Sequence, residues 1–280
     1  QATTLDPTLA QAWYNKGNAL AKLNRYDKAL IALEQATTLD PTDAQAWTNK
    51  GNALHALNRY DEALTAYEQA TTLDPTLAQA WYNKGNALAK LNRYDKALIA
   101  LEQATTLDPT LAQAWTNKGN ALAALNRYDE ALTAYEQALA CSPDEPVFLR
   151  NKADLLYDDL HRFEEALAAI QRAIALDGES IRGWAILGDV ESALGHSNEA
   201  RTAYERALTL EAIDSLDWFS RGRAFAGLKR YEEALAAYDQ SLTNDPNDSD
   251  VLRAKAESLR ALGRDAEAES VQAHIEELGD

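Results

Sequence analysis

The chain has 280 residues, 27 basic against 44 acidic side chains, and a formal net charge of −17. That field excludes nucleic acid as an expected partner, because phosphate binding needs clustered Lys and Arg. No apolar run nears the roughly 18 residues of a membrane span, so no membrane is expected either. Gly and Pro number only 12 and 7, as suits short helices joined by tight turns.

In chain order, residues 1–9 read as the end of a truncated preceding repeat, since Gln1 to Pro7 matches Gln35 to Pro41. With no methionine anywhere, the chain is expected to be a piece of a longer protein. Residues Gln1 to Glu68 then recur as Gln69 to Glu136 with two changes, Asp43 becoming Leu111 and His55 becoming Ala123. Each copy halves again into two similar units anchored on Trp13, Trp47, Trp81 and Trp115. Residues 10–145 are thus four near-identical repeats. Residues 146–280 hold four diverged ones and a polar closing helix near Asp265 to Leu278. A fixed short period means that each unit buries its apolar face only by stacking on neighbours.

Within a unit, Asp40-Pro41 reads as an N-cap carboxylate followed by proline at the first helical position, so a helix A is expected from there to about Leu23 or its equivalent. It stops at Asn24, Asn58, Asn92 and Asn126, and later at Gly195 and Gly263, residue types that tolerate a left-handed turn. Helix B follows from about Tyr26 to Leu39. The fifth unit has one extra residue between Lys152 and Arg162, which predicts a local distortion.

The pattern Trp13, Gly17, Leu20, Ala29, Leu33, Ala36, Pro41 resembles the tetratricopeptide repeat over essentially the whole chain. The resemblance implies an all-α fold, a right-handed superhelical α-solenoid of eight tetratricopeptide helix-turn-helix repeats with helix A on the concave wall. Lys16, Lys50, Lys84 and Lys118 stand where the family usually has an apolar residue, and their ammonium groups are expected in water.

At 100° per residue, Gln11, Asn15, Asn18 and Lys22 share a stripe opposite Trp13 and Gly17. Asn15-Lys16-Gly17-Asn18 is similar to the superhelical domain of the O-linked N-acetylglucosamine transferases and of prokaryotic tetratricopeptide proteins. In those transferases an inward asparagine ladder grips polypeptide, and a carboxamide does complement a peptide group. The resemblance implies that Asn15, Asn49, Asn83, Asn117 and Asn151 bind backbone, with Asn18, Asn52, Asn86 and Asn120 beside them. Tyr14 and Tyr82 alternate with Thr48 and Thr116, either as apolar shelves in the groove or as packing. Solvated surface asparagine is the plain alternative.

Arg223 and Arg253 read as surface charges or an anion-accepting spot. Cys141 reads as a half-buried structural thiol in a reducing cytoplasm. The histidines have no metal-ligand spacing, and no phosphate loop or nucleophile motif appears. Neither cofactor nor metal is expected, nor catalysis. The expected function is a protein- or peptide-binding scaffold, its partner a protein or extended peptide. The alternatives are weak end-to-end self-association, or a sensor or recruiting arm of a larger enzyme or NTPase.

Overall fold

A computed structural model describes residues 9–278. Nearly all of that span is helical, in sixteen α-helices forming eight antiparallel pairs. The expectation for residues 1–9, Leu9 aside, and for the Asp6-Pro7 cap lies outside the described residues. The chain divides into two compact units, Gln1–Pro143 and Asp144–Asp280. Each is a right-handed α-solenoid of four pairs.

The first unit holds α1 (Ala10–Lys22), α2 (Tyr26–Leu39), α3 (Ala44–Ala56), α4 (Tyr60–Leu73), α5 (Ala78–Lys90), α6 (Tyr94–Leu107), α7 (Ala112–Ala124) and α8 (Tyr128–Cys141). Odd-numbered helices are the A members and even-numbered ones the B members. Helix B has the bounds that the pattern predicts. Its entry is set by Asn24, Asn58, Asn92 and Asn126, all left-handed with φ between 54° and 58°. At each turn the following tyrosine hydroxyl donates to the asparagine, as from Tyr26 to Asn24 Oδ1 at 2.9 Å.

Helix A begins three residues later than expected, because Thr42 captures the Asp40 carboxylate. Its N–H and hydroxyl donate to Asp40 Oδ1 at 3.0 and 2.7 Å, and the Asp40 carboxyl is held below its ordinary pKa chiefly by that hydroxyl. The Asp-Pro-Thr stretch is a turn, and the helix starts at Ala44. Tryptophan pins that turn: Trp47, Trp81 and Trp115 donate through Nε1 to the carbonyls of Pro41, Pro75 and Pro109 at 2.9–3.0 Å.

The core lies between A and B. Gly17, Gly51, Gly85 and Gly119 press against Leu33, Tyr67, Leu101 and Tyr135, so the leucine-tyrosine alternation fills one recurring space. Consecutive A helices also pack side by side, whereas no two B helices of the unit share a comparable interface. The repeats therefore close up on the A side, which makes the A helices the inner wall of the unit.

The lysines before the glycines do not simply reach water. Their ammonium groups sit over the tryptophan one turn earlier, Lys16 on Trp13 at 4.3 Å and Lys118 on Trp115 at 5.2 Å, a cation–π placement. Lys118 also meets Glu102 at 3.5 Å. Cys141 is exposed rather than half-buried, at the last position of α8.

The second unit holds α9 (Pro146–Asp158), α10 (Phe163–Leu176), α11 (Ile181–Ala193), α12 (Ser197–Thr209), α13 (Ser215–Gly227), α14 (Tyr231–Ser241), α15 (Ser249–Ala261) and α16 (Asp265–Leu278). The extra residue of the fifth repeat is taken up in the α9–α10 turn, where His161 is left-handed at φ 51°. Ile275 of α16 is buried while most of that helix's acids face solvent.

Candidate functional site

Residues four and seven apart on an α-helix share a face, and the A helices of the first unit place their amides accordingly. Gln11 Nε2 donates to Asn15 Oδ1 at 3.2 Å, and Gln79 Nε2 to Asn83 Oδ1 at 3.0 Å. The opposite face carries the glycine and buried alanines, so the amides cannot turn inward. Asn15, Asn52 and Asn120 are exposed; Asn18, Asn49, Asn83, Asn86 and Asn117 are half-buried.

The structure brings these side chains together in a way that spacing within one helix does not reveal. Asn49 Nδ2 donates to Asn18 Oδ1 at 2.9 Å, Asn83 Nδ2 to Asn52 Oδ1 at 2.7 Å and Asn117 Nδ2 to Asn86 Oδ1 at 2.6 Å. The two asparagine columns are thus rungs that tie neighbouring A helices together. Tyr67 adds its hydroxyl to Asn52 Oδ1 at 2.9 Å, and Tyr135 adds its own to Asn120 Oδ1 at 2.7 Å.

The row is part of repeat-to-repeat packing and is also open to solvent. Asn49 spends its donors on Asn18 and on the Tyr14 hydroxyl at 3.1 Å. Asn83 and Asn117 each use one N–H on a rung and keep a second. The amide nitrogens of Asn15, Asn18 and Asn86 donate to no protein group among the described residues. Tyr14 and Tyr82 are half-buried and pack on the edges of the leucine clusters around Leu33 and Leu101. Thr48 and Thr116 turn back on their own helix, to Ala44 and Ala112 carbonyls at 2.9 and 3.2 Å.

A cleft opens on this wall. Its volume is about 170 Å³, and it is lined by Asn52, His55 and Ala56 of α3, Tyr67 of α4, and Asn83 and Asn86 of α5. Of these, His55 was not expected at a site, and Tyr67, which alternates with Leu33 and Leu101 along the repeats, was expected to pack. The signal for His55 was present, as one of two differences between the 68-residue copies.

The second unit has different chemistry at the corresponding positions. Asn151 is half-buried on α9. The column that carries Asn18 in the first repeat carries Asp154, Asp189, Arg223 and Glu257 here. Arg223 offers no anion site and is not a solvated surface charge, because carboxylates surround it. It meets Asp189 at 2.6 Å, Asp154 at 3.4 Å and Asp158 at 3.8 Å, with its side chain 18% exposed. Arg182 closes on Asp154 at 2.7 Å, and the Tyr204 hydroxyl donates to Asp189 Oδ1 at 2.7 Å. Burial alone would raise Asp154, but the guanidinium groups of Arg182 and Arg223 hold it below the ordinary carboxylate range. Arg253 is half-exposed and pairs with Asp250 at 3.4 Å.

Among the described residues, no three His, Cys, Asp or Glu side chains are placed to hold a metal ion, and no helix is long and apolar enough to cross a membrane.

A search of curated proteins finds no match. Solved structures do match. A tetratricopeptide repeat protein from Parabacteroides merdae is 15% identical, with a TM-score of 0.73, covering 89% of this chain and 98% of its own. YrrB, described as a tetratricopeptide repeat protein with an unusual peptide-binding site, is 25% identical at a TM-score of 0.55, covering 65% of this chain and 93% of its own. PilF of Pseudomonas aeruginosa is 20% identical at a TM-score of 0.63, covering 70% and 89%. Among family models, the cilia and flagella-associated protein 70 C-terminal domain matches residues 50–217. The tetratricopeptide repeat model matches residues 2–44, 14–78, 187–249 and 219–278. With that model spanning more than half of its length and the helix pairs repeating throughout, the chain belongs to the tetratricopeptide repeat family.

Proposed function

We propose that this chain is a protein-binding scaffold whose first unit holds an extended segment along the amide row of α1, α3, α5 and α7. The observation that carries the reading is the row's spare hydrogen-bonding capacity. Second N–H groups on Asn83 and Asn117, and unspent amide nitrogens on Asn15, Asn18 and Asn86, stand side by side on one solvent-open wall. A peptide backbone presents carbonyl oxygens at regular intervals and can meet such donors whatever its side chains are. The rungs help, since side chains already fixed by neighbours lose less rotamer freedom on binding. YrrB's described peptide-binding site, on a chain of this fold, supports the same reading. The second unit spends its inner charges on one another, which confines the reading to the first.

The test is binding of random twelve-residue peptides displayed on phage, followed by calorimetry on those enriched. Replacing Asn83 and Asn117 together by Ala is expected to weaken binding about tenfold or more, at about 1 kcal/mol per hydrogen bond lost. Unchanged affinity with helical circular dichroism retained would overturn it.

A further inference from the structure

The two 68-residue copies are otherwise so alike that a groove built from them has almost no means of telling one bound residue from another. His55 breaks that sameness, in the cleft between α3 and α5. Ala21, Ala89 and Ala123 occupy its position in the other near-identical repeats, so packing does not require an imidazole there. Its Nε2 is buried and has no hydrogen-bond partner, whereas buried polar atoms are normally paired. The ring is held edge-on by Tyr60 at 5.1 Å.

The cleft's surroundings are rich in donors. Asn52 Oδ1 is already taken by the Tyr67 hydroxyl at 2.9 Å and by Asn83 Nδ2 at 2.7 Å. What remains is the second N–H of Asn83, the unspent amide nitrogen of Asn86, and the imidazole N–H. Lys90 lies one turn beyond Asn86 on α5, exposed and without an ion pair among the described residues, and its charge reaches the His55 ring. None of the six lining side chains is acidic, in a chain with 44 acidic residues. The cleft, about 170 Å³ and open to solvent on one side, has room for a side chain.

We propose that this cleft receives an aspartate or glutamate side chain of the bound segment, its carboxylate taken by the N–H groups of Asn83, Asn86 and His55 beside the Lys90 ammonium. It rests on the groove reading above and adds a register to it. The amides hold backbone anywhere along the wall, and the His55 cleft fixes which residue of the segment lies between the second and third repeats.

Random twelve-residue phage peptides panned on the whole chain and on His55→Ala test this. The variant should fold as the parent does, since alanine stands at the three equivalent positions. The wild type is expected to enrich Asp or Glu at one fixed position. The variant should still bind peptides but lose that preference, and a synthetic pair differing only as Asp or Leu there should differ about tenfold in affinity on the wild type and little on the variant. Peptides enriched without an acidic position, or with one that survives in His55→Ala, overturn the cleft assignment and leave the groove reading standing. No enrichment above bare matrix overturns both. Lys90→Gln, a second variant, should weaken the preference without abolishing binding, and an unchanged preference there removes the ammonium from the scheme.

Discussion

Gly51 shows how little room separates the two helices of a pair. A methyl group on its Cα would lie 2.7 Å from Tyr67 Cδ1, inside any tolerable contact. Gly51→Ala should therefore destabilise the chain by about 1–3 kcal/mol through overpacking, read as a lower urea midpoint at an unchanged slope. The same contact explains the tyrosine-leucine rhythm on helix B. Glycine was legible in the sequence as a point of close approach, and Tyr67 was legible as packing. Its hydroxyl on Asn52 was not, because that bond depends on how far α4 is rotated against α3, which spacing along one helix does not encode. The tryptophans taught the opposite lesson. On the stripe with the glycine they read as core residues, yet Trp47, Trp81 and Trp115 are half-buried, each with its indole N–H spent on the turn before it.

At the level of the helix, the chain contains its own control experiment. Asp43 caps α3, accepting from Gln45 N at 2.9 Å and Ala46 N at 3.1 Å. Leu111 holds the same place before α7 and caps nothing. Leu111→Asp is expected to stabilise the first unit by about 1 kcal/mol, seen as a rise in thermal midpoint. The helix B bounds were legible because asparagine at a left-handed turn leaves little choice of where a helix ends. The start of helix A was misread because an aspartate before a proline looks like a cap, and only Thr42, with two donors two residues on, turns that carboxylate to another use. The rungs between A helices were illegible for a related reason: they join residues 31 apart, and their existence depends on the angle between successive repeats.

Across the whole molecule the charge is unequal, and the two units should answer differently to acid. Residues 1–145 hold 12 basic and 17 acidic side chains, while residues 146–280 hold 15 and 27. In the second unit Asp154, held low by Arg182 and Arg223, contributes stability that is complete above the usual carboxylate range and is lost as pH falls through its depressed value. Asp158 has the opposite sign. Burial, against the pull of Arg223 and with the charges of Asp154 and Asp189 adding to it, pushes its carboxyl up to about 7. Its share of stability grows as pH falls from there toward the ordinary value, screened in part because the side chain is 49% exposed. Urea unfolding of the whole chain over a pH series, followed by hydrogen exchange in residues 144–280, should show a shallow gain on mild acidification and then a steep loss. Asp158→Asn should remove the gain and keep the loss. A last consequence belongs to the rungs of the first unit. In all three the later repeat gives the hydrogen and the earlier one accepts it, so the wall has a head and a tail. A strand laid on it and the same strand turned end for end would meet different arrays of dipoles, so the binding proposed for this wall carries a preference for the direction in which the guest chain runs.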